Sequence, residues 1–514
     1  MTARARWWVL TAVSLATLMT YLDNNVINVA IPTIQRSLHL SVTGLEWIVS
    51  SYLLVLAGLL LVGGRVADVY GRRRVFLVGL AIFTLSSLTA GLAGSGGVLI
   101  GARAVQGLGA ALMMPAALAI ITHTFTNVRE RMMAIGTWSA IGALGLALGP
   151  VIGGVISQHV HWGWIFLLNV PLGVVTFAVA IPFIAESRAG EQARTLDLPG
   201  LVSSAIALFA LTYALIEGHD RGWTSTQIVA AFAVAAVAAV VFLAVESRAR
   251  QPMVPLGVFR SREFSGGTTT MMIWAFGIFG IYFFTSLYLQ GILGFSPSKA
   301  GLAFVPMALL IALSAMSAPR IAAAIGSHRT VSLGVLLMVA GLLLFARLGA
   351  GATFAALMPG FALFGVGAGL MNVPLTNTVI DGMPREQAGI AGALLNNSRE
   401  MAGLLGVTVI GAVLRARQGV ALRGGSSAPQ AFLDGYHTGL WVTIALLAAG
   451  VVLSYVTLRP RPQAEPDVLE MPGPHAVGDA PLVVETVPAV VETVPAVASD
   501  SRRAPDGSAG RPAG

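Results

Sequence analysis

Apolar runs of about 20 residues recur along the chain from Trp7 to near Arg459, and only short polar breaks separate them. A helix of about 20 apolar residues crosses the hydrocarbon core of a bilayer, which is about 30 Å thick. The pattern therefore predicts fourteen transmembrane helices. The predicted spans lie near residues 7–31, 45–66, 74–94, 97–122, 131–158, 163–185, 197–217, 227–246, 266–290, 299–322, 328–348, 353–381, 387–414 and 436–458.

An internal repeat divides these spans. GGRVADVYGRRRV aligns with APRIAAAIGSHRTV at an offset of 255, which places Gly71 on Gly326. One helix pair later, an offset of 258 places Gly107 on Gly365. The chain is therefore predicted to contain two six-helix bundles with two helices interposed between them. The predicted boundaries are 1–190 for the first bundle, 191–250 for the interposed helices and 251–459 for the second bundle.

The segment after the last span has a different composition. Residues 460–514 are rich in Pro, Ala, Glu and Val, and VVETVPA occurs twice in succession. With frequent proline and no apolar period, the segment cannot bury a core, so a disordered cytoplasmic tail is predicted.

Composition and charge agree with a membrane protein. Hydrophobic residues make up 56% of the chain and charged residues 11%, against about a quarter charged in soluble domains. Arginines concentrate in alternate loops and at the termini, and the positive-inside rule assigns these loops and both termini to the cytoplasm. The net charge of +8 is explained by this placement, which argues against nucleic acid as a partner. The opposite loops carry fewer basic residues, namely Arg36, Arg221, Lys299, Arg347, Arg415, Arg417 and Arg423.

The loop after the second span reads GRVADVYGRRR. Its glycines allow a tight turn and close helix approach, while Asp68 sits among arginines and can bridge helix ends or face a helix N-terminus. The loop is a candidate conformational latch; alternatively, its arginines only fix topology. The candidate latch residues are Gly64, Asp68, Gly71, Arg72 and Arg73.

Ionisable residues also lie inside the predicted spans. Asp23 in the first span and Arg103 in the fourth are costly in lipid unless they are paired, and each is a possible mate for the other. Asp23 alternatively stays neutral and hydrogen-bonded to nearby asparagines, and Arg103 alternatively snorkels to the headgroups. In the thirteenth span, Arg399 and Glu400 are adjacent, so Glu400 is either a protonatable site or a structural partner of Arg399.

Two further segments suggest close packing and a cavity. The fifth span reads GALGLALGPVIGGV, which predicts a kinked helix with an almost bare face. Aromatic residues of the ninth span can line a cavity for flat or cationic compounds, or they pack against lipid and other helices. The glycine–proline residues are Gly145, Gly149, Pro150, Gly153 and Gly154, and the cavity candidates are Gln106, Trp274, Phe279, Tyr282, Asn396 and Asn397.

Together these segments resemble the signatures of the fourteen-helix drug:proton antiporters of the major facilitator superfamily. The matching strings are GRVADVYGRRR, YLDNNVINVAIP, RAVQGLGAA and GALGLALGPVIGGV, of which the last resembles a signature of exporters. The resemblance covers nearly everything before residue 459. It implies an all-α major facilitator fold, a proton-coupling role for Asp23 and Arg103, and export. Arg399, which matches the family pattern, and Glu400 are further proton-coupling candidates because they are charged residues inside an apolar span. Val69, Asn25 and Glu400 depart from the family pattern.

The predicted function is the export of drugs, antibiotics or other small compounds in exchange for protons, and the alternative is transport of one dedicated metabolite. The predicted partners are a small-molecule substrate, protons and the lipid of the cytoplasmic membrane, with the chain acting as a monomer. No metal or cofactor is expected, because the eight histidines lack metal-ligand spacing and no phosphate loop occurs. Proton motive force would then drive transport. No cluster typical of an enzyme site occurs in the sequence.

Overall fold

The computed structural model describes residues 3–188, 197–249, 252–383 and 388–459, and these contain fourteen long helices. The predicted tail, 460–514, lies outside the described residues. The helices are α1 (Ala3–Leu38), α2 (Val42–Tyr70), α3 (Arg72–Gly91), α4 (Gly96–Thr124), α5 (Val128–His159), α6 (Trp164–Leu167 with Asn169–Phe183), α7 (Leu198–Arg221), α8 (Thr226–Arg248), α9 (Arg262–Leu287, continued by a π turn at Tyr288–Ile292), α10 (Pro297–Ile325), α11 (Ser327–Phe345), α12 (Phe354–Asp381), α13 (Ala388–Arg423) and α14 (Ala428–Thr457).

The helix count confirms the fourteen-helix prediction. Thirteen of these helices are long and apolar enough to cross a membrane, and α1 is the remaining one. The span of α1 contains Asp23, Asn24, Asn25 and Asn28, which lower its hydropathy. Its 36 residues nevertheless exceed the length that a bilayer requires. The last helix begins at Ala428 rather than near 436, because its polar first turns extend beyond the apolar run that marks the span.

Glycines allow the same close approach at repeated positions. A Cβ added to Gly79 of α3 would lie 2.8 Å from the carbonyl oxygen of Gly109 in α4. A Cβ added to Gly334 of α11 would lie 2.7 Å from the carbonyl oxygen of Gly367 in α12. The helix pairs α3/α4 and α11/α12 thus pack backbone to backbone in the same way, as the internal repeat leads one to expect.

Close contacts join the first six helices to the last six at one end of the molecule. This end lies opposite the arginine-rich loops that precede α3 and α5. There, the Ser298 N–H of α10 donates to Gln158 Oε1 of α5 at 3.1 Å, and Gln290 Nε2 donates to the Val29 carbonyl oxygen at 2.8 Å. A Cβ at Gly154 would lie 2.5 Å from a backbone oxygen of α10. At this end the two groups of helices are in direct contact.

The two interposed helices differ in their surroundings. α7 packs against α8 and also contacts α2 and α13. Only 17% of the most apolar 18-residue stretch of α8 is buried inside the protein, the lowest share among the thirteen apolar helices. Most of the surface of α8 therefore faces lipid. Of the two interposed helices, α7 is therefore the one that connects to the rest of the molecule.

The glycine seam between α3 and α4 gives a direct test of the packing. We expect Gly109→Ala to lower the thermal midpoint of the detergent-solubilised protein, by an amount that corresponds to about 1–3 kcal/mol, because its Cβ would lie 2.6 Å from the backbone nitrogen of Phe83. Gly101→Ala on the same helix is the matched control, because nothing lies within 4 Å of its Cβ position. Equal midpoints for the two variants would contradict this packing.

Candidate functional site

A buried polar network surrounds Asp23 in the middle of α1, where this side chain is only 2% exposed. Arg103 Nη1 of α4 donates to Oδ2 of Asp23 at 2.5 Å, and Gln106 Nε2 donates to Oδ1 at 2.8 Å. Asn169 Nδ2 of α6 also donates to Oδ1, at 3.0 Å. Donors from two helices therefore hold the carboxylate inside the apolar bundle.

Arg103 is the second charged group of this network. It is fully buried, so it does not reach the headgroups as a snorkelling side chain would. Its Nη1 also donates to Gln106 Oε1 at 2.6 Å, and its guanidinium lies 4.2 Å from the ring centroid of Tyr52. The ring face and the carboxylate both favour the positive charge.

Gln106 belongs to this network. Its amide group contacts Asp23, Arg103 and the Ser87 hydroxyl, to which Nε2 donates at 2.8 Å. Arg103 and Gln106 are three residues apart, so one face of α4 presents both. The role of Gln106 in a substrate cavity stays a prediction, but in this structure its polar atoms are occupied by the network.

Sequence reasoning missed Asn169 and Tyr52. An amide side chain within the apolar run of the sixth span was a signal that could have identified Asn169. Tyr52 gave no such signal, because tyrosine is common in transmembrane helices, where its ring packs against neighbouring helices. Only the crossing of α2 over α4 places its ring on Arg103.

A second charged pair lies on α13 and contacts α1. Arg399 Nη2 donates to Glu400 Oε1 at 2.7 Å, and the same nitrogen donates to the Tyr21 hydroxyl at 3.3 Å. Glu400 is only 6% exposed. Tyr21 precedes Asp23 by two residues, so this pair links the last six helices to α1 near the depth of the Asp23 network.

The two neighbouring asparagines of α13 have different surroundings. Asn396 is exposed, whereas Asn397 is half-buried and its Nδ2 donates to Met401 Sδ at 3.6 Å. Their predicted contribution to a substrate cavity stays a prediction.

The glycines of the fifth helix pack against α1 beside Asp23. A Cβ at Gly149 would lie 2.5 Å from the Cβ of Asn25, and one at Gly153 would lie 2.4 Å from the Val26 carbonyl oxygen. Gly145 approaches the preceding turn of α1 in the same way. The bare face predicted for this helix therefore lies directly against the helix that carries the buried carboxylate.

The same segment of α5 also packs against the last six helices. A Cβ at Gly301 of α10 would lie 2.2 Å from the carbonyl oxygen of Pro150, and Gly154 faces the backbone of Pro297. The glycine–proline segment thus contacts α1 on one side and α10 on the other. The segment therefore lies in direct backbone contact with both α1 and α10.

The predicted latch loop forms a local ion pair. Asp68 Oδ1 accepts from Arg72 Nη2 at 2.9 Å and from Arg72 Nε at 3.1 Å. Gly71 joins α2 to α3 with φ of +115°, a conformation that favours glycine. A Cβ added to Gly64 would lie 3.5 Å from the Cβ of Pro115 in α4. The loop therefore joins α2 to α3 through a tight turn and an ion pair, and α4 packs beside Gly64.

Glu186, which follows α6, completes this loop and was missed from the sequence. Its Oε1 accepts the backbone N–H of Arg73 at 3.1 Å, and its Oε2 accepts that of Arg74 at 3.3 Å. Arg73 Nη2 also donates to the Ile181 carbonyl oxygen at 2.8 Å. A carboxylate at the N-terminus of α3 satisfies free backbone donors and is favoured by the helix dipole. No local sequence signal connects it to Arg73, because more than a hundred residues separate them.

The aromatic cavity candidates pack within the last six helices. The ring of Tyr282 lies 4.2 Å from that of Phe304 in α10. Phe279 lies against Gly403 of α13, and Trp274 is buried with 8% exposure. These contacts are those of helix packing, and the assignment of the three aromatics to a substrate cavity stays a prediction.

A family model described as Major Facilitator Superfamily matches residues 13–407. The chain belongs to this superfamily. The puromycin resistance protein pur8 of Streptomyces alboniger is 36% identical over 469 residues, which cover 89% of this chain and 92% of the relative. The multidrug resistance protein Stp of Mycobacterium tuberculosis is 35% identical over 80% of this chain and 76% of its own length. The tetracenomycin C resistance and export protein of Streptomyces glaucescens is 34% identical over 80% and 77%, respectively.

Solved structures show the same fold. A peptide transporter of the POT family matches with a TM-score of 0.66 at 15% identity, over 90% of this chain and 99% of that one. A bacterial homologue of the lysosomal transporter Spinster matches with a TM-score of 0.62 at 18% identity, over 89% and 98%. The superfamily member described here is thus an all-α, multi-pass membrane transporter and not an enzyme, as predicted.

The buried pair of Asp23 and Arg103 predicts a strong energetic coupling. We expect Asp23→Asn to destabilise the protein by about 3–5 kcal/mol, because it leaves the Arg103 charge buried without its partner. The double variant Asp23→Asn with Arg103→Gln should lose much less stability than the sum of the losses in the two single variants. Thermal unfolding in detergent measures this cycle. Glu130→Gln is the control, because the ion pair of Glu130 with Arg6 is partly exposed and contributes about 1 kcal/mol or less to stability. Additive losses of stability for the Asp23 and Arg103 variants would contradict the coupling.

Proposed function

We propose that this transporter exports small hydrophobic or cationic compounds across the cytoplasmic membrane in exchange for protons. The observation that carries the proposal is the buried Asp23 carboxylate, paired with Arg103 and packed beside the glycine face of α5. A carboxylate in this position can bind a proton, and the backbone contacts of α5 can transmit the result to α10. The relatives named for puromycin resistance, multidrug resistance and tetracenomycin C export support an outward direction.

The proposed cycle is alternating access between two bundles, α1–α6 and α9–α14. Protonation of Asp23 removes the charge that Arg103, Gln106 and Asn169 contact, so these donors lose most of their hold on α1. α1 can then shift against α5, and the two bundles change their relative tilt. The proton motive force supplies about 2.3 kcal/mol per charge for each 100 mV, so no cofactor is required.

Glu400 is proposed as the second proton-coupling group. Its partner Arg399 also contacts the Tyr21 hydroxyl on α1, so neutralising Glu400 changes a contact between the two bundles. Asp23 and Glu400 thus act on the same helix from opposite sides. Arg399 and Arg103 are the cations that compensate the two carboxylates when these are charged.

The arginine-rich end is proposed to face the cytoplasm, with both termini, and the opposite end to face outward. The contacts of α5 with α10 close the outward end. The conformation is then one in which the substrate path is open to the cytoplasm. The loop of Asp68 and Arg72, together with Glu186, lies at the cytoplasmic ends, where we propose that it acts as the conformational latch.

Dye transport in everted membrane vesicles tests the proposal. With an acidic interior, the wild type should accumulate a fluorescent cationic dye, whereas Asp23→Asn should lose most of this accumulation because no proton can be exchanged at that position. Glu400→Gln should be impaired in the same assay. Asp434→Asn is the control, because this carboxylate accepts a hydrogen bond from Gln430 Nε2 of its own helix at 3.1 Å and has no part in the proposed cycle. Full gradient-driven accumulation in Asp23→Asn would refute the assignment of the proton site.

A second candidate function is the export of one endogenous metabolite. The names of two relatives each mention a single antibiotic, puromycin or tetracenomycin C, and this observation favours a dedicated substrate. Competition for dye uptake by a panel of unrelated cations and antibiotics separates the two functions. Inhibition by many members of the panel supports multidrug export, and inhibition by one compound class supports a dedicated exporter.

Cysteine labelling tests the orientation, because the natural chain has no cysteine. We expect Thr224→Cys, in the exposed loop between α7 and α8, to react with a membrane-impermeant maleimide in intact cells. Thr126→Cys, in the exposed loop between α4 and α5, should react only after permeabilisation. The reverse pattern would place the arginine-rich end outside.

A further inference from the structure

Another buried ion pair lies at the outward end and joins the two bundles. Glu46 Oε2 of α2 is 3.0 Å from Arg415 Nη2 of α13, and the two side chains are 0% and 5% exposed. Gly411, one turn before Arg415, leaves room for the carboxylate, since a Cβ there would lie 2.3 Å from Glu46 Oε1. The proposed proton-coupling network of Asp23 does not include this pair.

The interposed helix α7 takes part in the same cluster. The Thr43 hydroxyl of α2 donates to Asp220 Oδ2 of α7 at 2.5 Å, and it accepts from Arg415 Nη1 at 3.0 Å. Arg415 Nη2 also donates to the Leu215 carbonyl oxygen of α7 at 3.4 Å. Arg415 therefore contacts one helix of the first bundle and one interposed helix.

A separate bond fastens α7 to α2. Trp47 Nε1 donates to Glu217 Oε1 of α7 at 2.9 Å, and Arg221 Nε donates to Glu217 Oε2 at 2.8 Å. Neither bond reaches α13. When the bundles part, α7 can therefore remain attached to α2 while its contacts to Arg415 break.

The energetics of the cluster suit a contact that forms and breaks. Burying two charges carries a desolvation cost of several kcal/mol for each ion, which their attraction offsets only when both partners are in place. Among the residues that the structure describes, no hydrogen-bond donor of good geometry contacts either carboxylate oxygen of Glu46 beyond the ion pair itself. Separation would return both charges to water, so the cluster holds the end closed without making the closure irreversible.

We propose that Glu46, Arg415, Thr43 and Asp220 form the outer gate of the transporter, and that α7 is a working part of this gate. The pair Glu46–Arg415 closes the outward end between the two bundles. Asp220 and the Leu215 carbonyl oxygen position Arg415 from the interposed helix. This assignment goes beyond the proposed function and does not depend on the substrate or on proton coupling.

Disulfide cross-linking measures the closed state of the outward end. The reporter is the double variant Gln158→Cys with Ser298→Cys, whose positions contact each other across the bundles and lie outside the cluster. We expect Glu46→Gln on this background to lower the oxidative cross-linking rate several-fold, and Asp220→Asn to lower it by a smaller factor. Arg415→Lys keeps the charge but loses the paired guanidinium contacts, so an intermediate rate is expected.

Glu217→Gln is the matched control, because it lies on the same helix as Asp220 and contacts α2 without reaching Arg415. Its cross-linking rate should equal that of the reporter alone. All rates are compared for protein that elutes as a single peak in gel filtration. If Glu46→Gln does not meet this condition, Arg415→Lys decides the test.

An unchanged cross-linking rate in Glu46→Gln would refute the proposed outer gate. If Glu46→Gln does not elute as a single peak, an unchanged rate in Arg415→Lys would refute it. Unchanged cross-linking in Asp220→Asn would remove α7 from it, and a loss in Glu217→Gln equal to that in Asp220→Asn would reduce the role of α7 to general packing. The measurement needs no substrate and no proton gradient. A chain that failed the dye assay could still pass this test, so the failure of one proposal is distinguishable from the failure of the other.

Discussion

The cost of placing charge among apolar helices is the main constraint on the arrangement of the first six helices. Asp23 and Arg103 are acceptable inside the membrane only because each lies within hydrogen-bonding distance of the other. That requirement fixes how deep α1 sits against α4. Asn169 adds α6 to the same centre, so α1, α4 and α6 meet at this one pair of charges.

Close backbone packing is the second constraint, and it serves the first. Lipid gives helices little hydrophobic reason to associate, so contact depends on small residues that let backbones approach. The glycines of α5 let α1 approach closely beside its polar centre, and Gly79 with Gly109 does the same for α3 and α4. Bulky side chains at these positions would move the helices apart and would separate the donors from the carboxylate.

The sequence predicted the helices, but it could not predict side-chain partners that only the fold brings together. Apolar length and the repeat identified the spans, and the cost of lone charges suggested the pair of Asp23 and Arg103. Glu186 had no local signal, because its partners come from a distant segment. Glu46 lies inside the predicted span 45–66 and gave the same signal as Asp23, but the sequence analysis did not use it. Arg415 was counted only among the basic residues of the outward loops. It is in fact almost fully buried, since α13 continues as a helix to Arg423.

The polar character of α1 has a consequence for how the protein is made. The ribosome delivers α1 before α4 exists, so Asp23 and its neighbouring asparagines must enter the translocon without Arg103. A single aspartate at the centre of a helix costs about 2.5–3.5 kcal/mol on the scale of membrane insertion. The apolar first half of α1 has to offset this cost until α4 is synthesised. The partner that compensates the Asp23 charge is therefore synthesised some 80 residues later, the separation of Asp23 and Arg103.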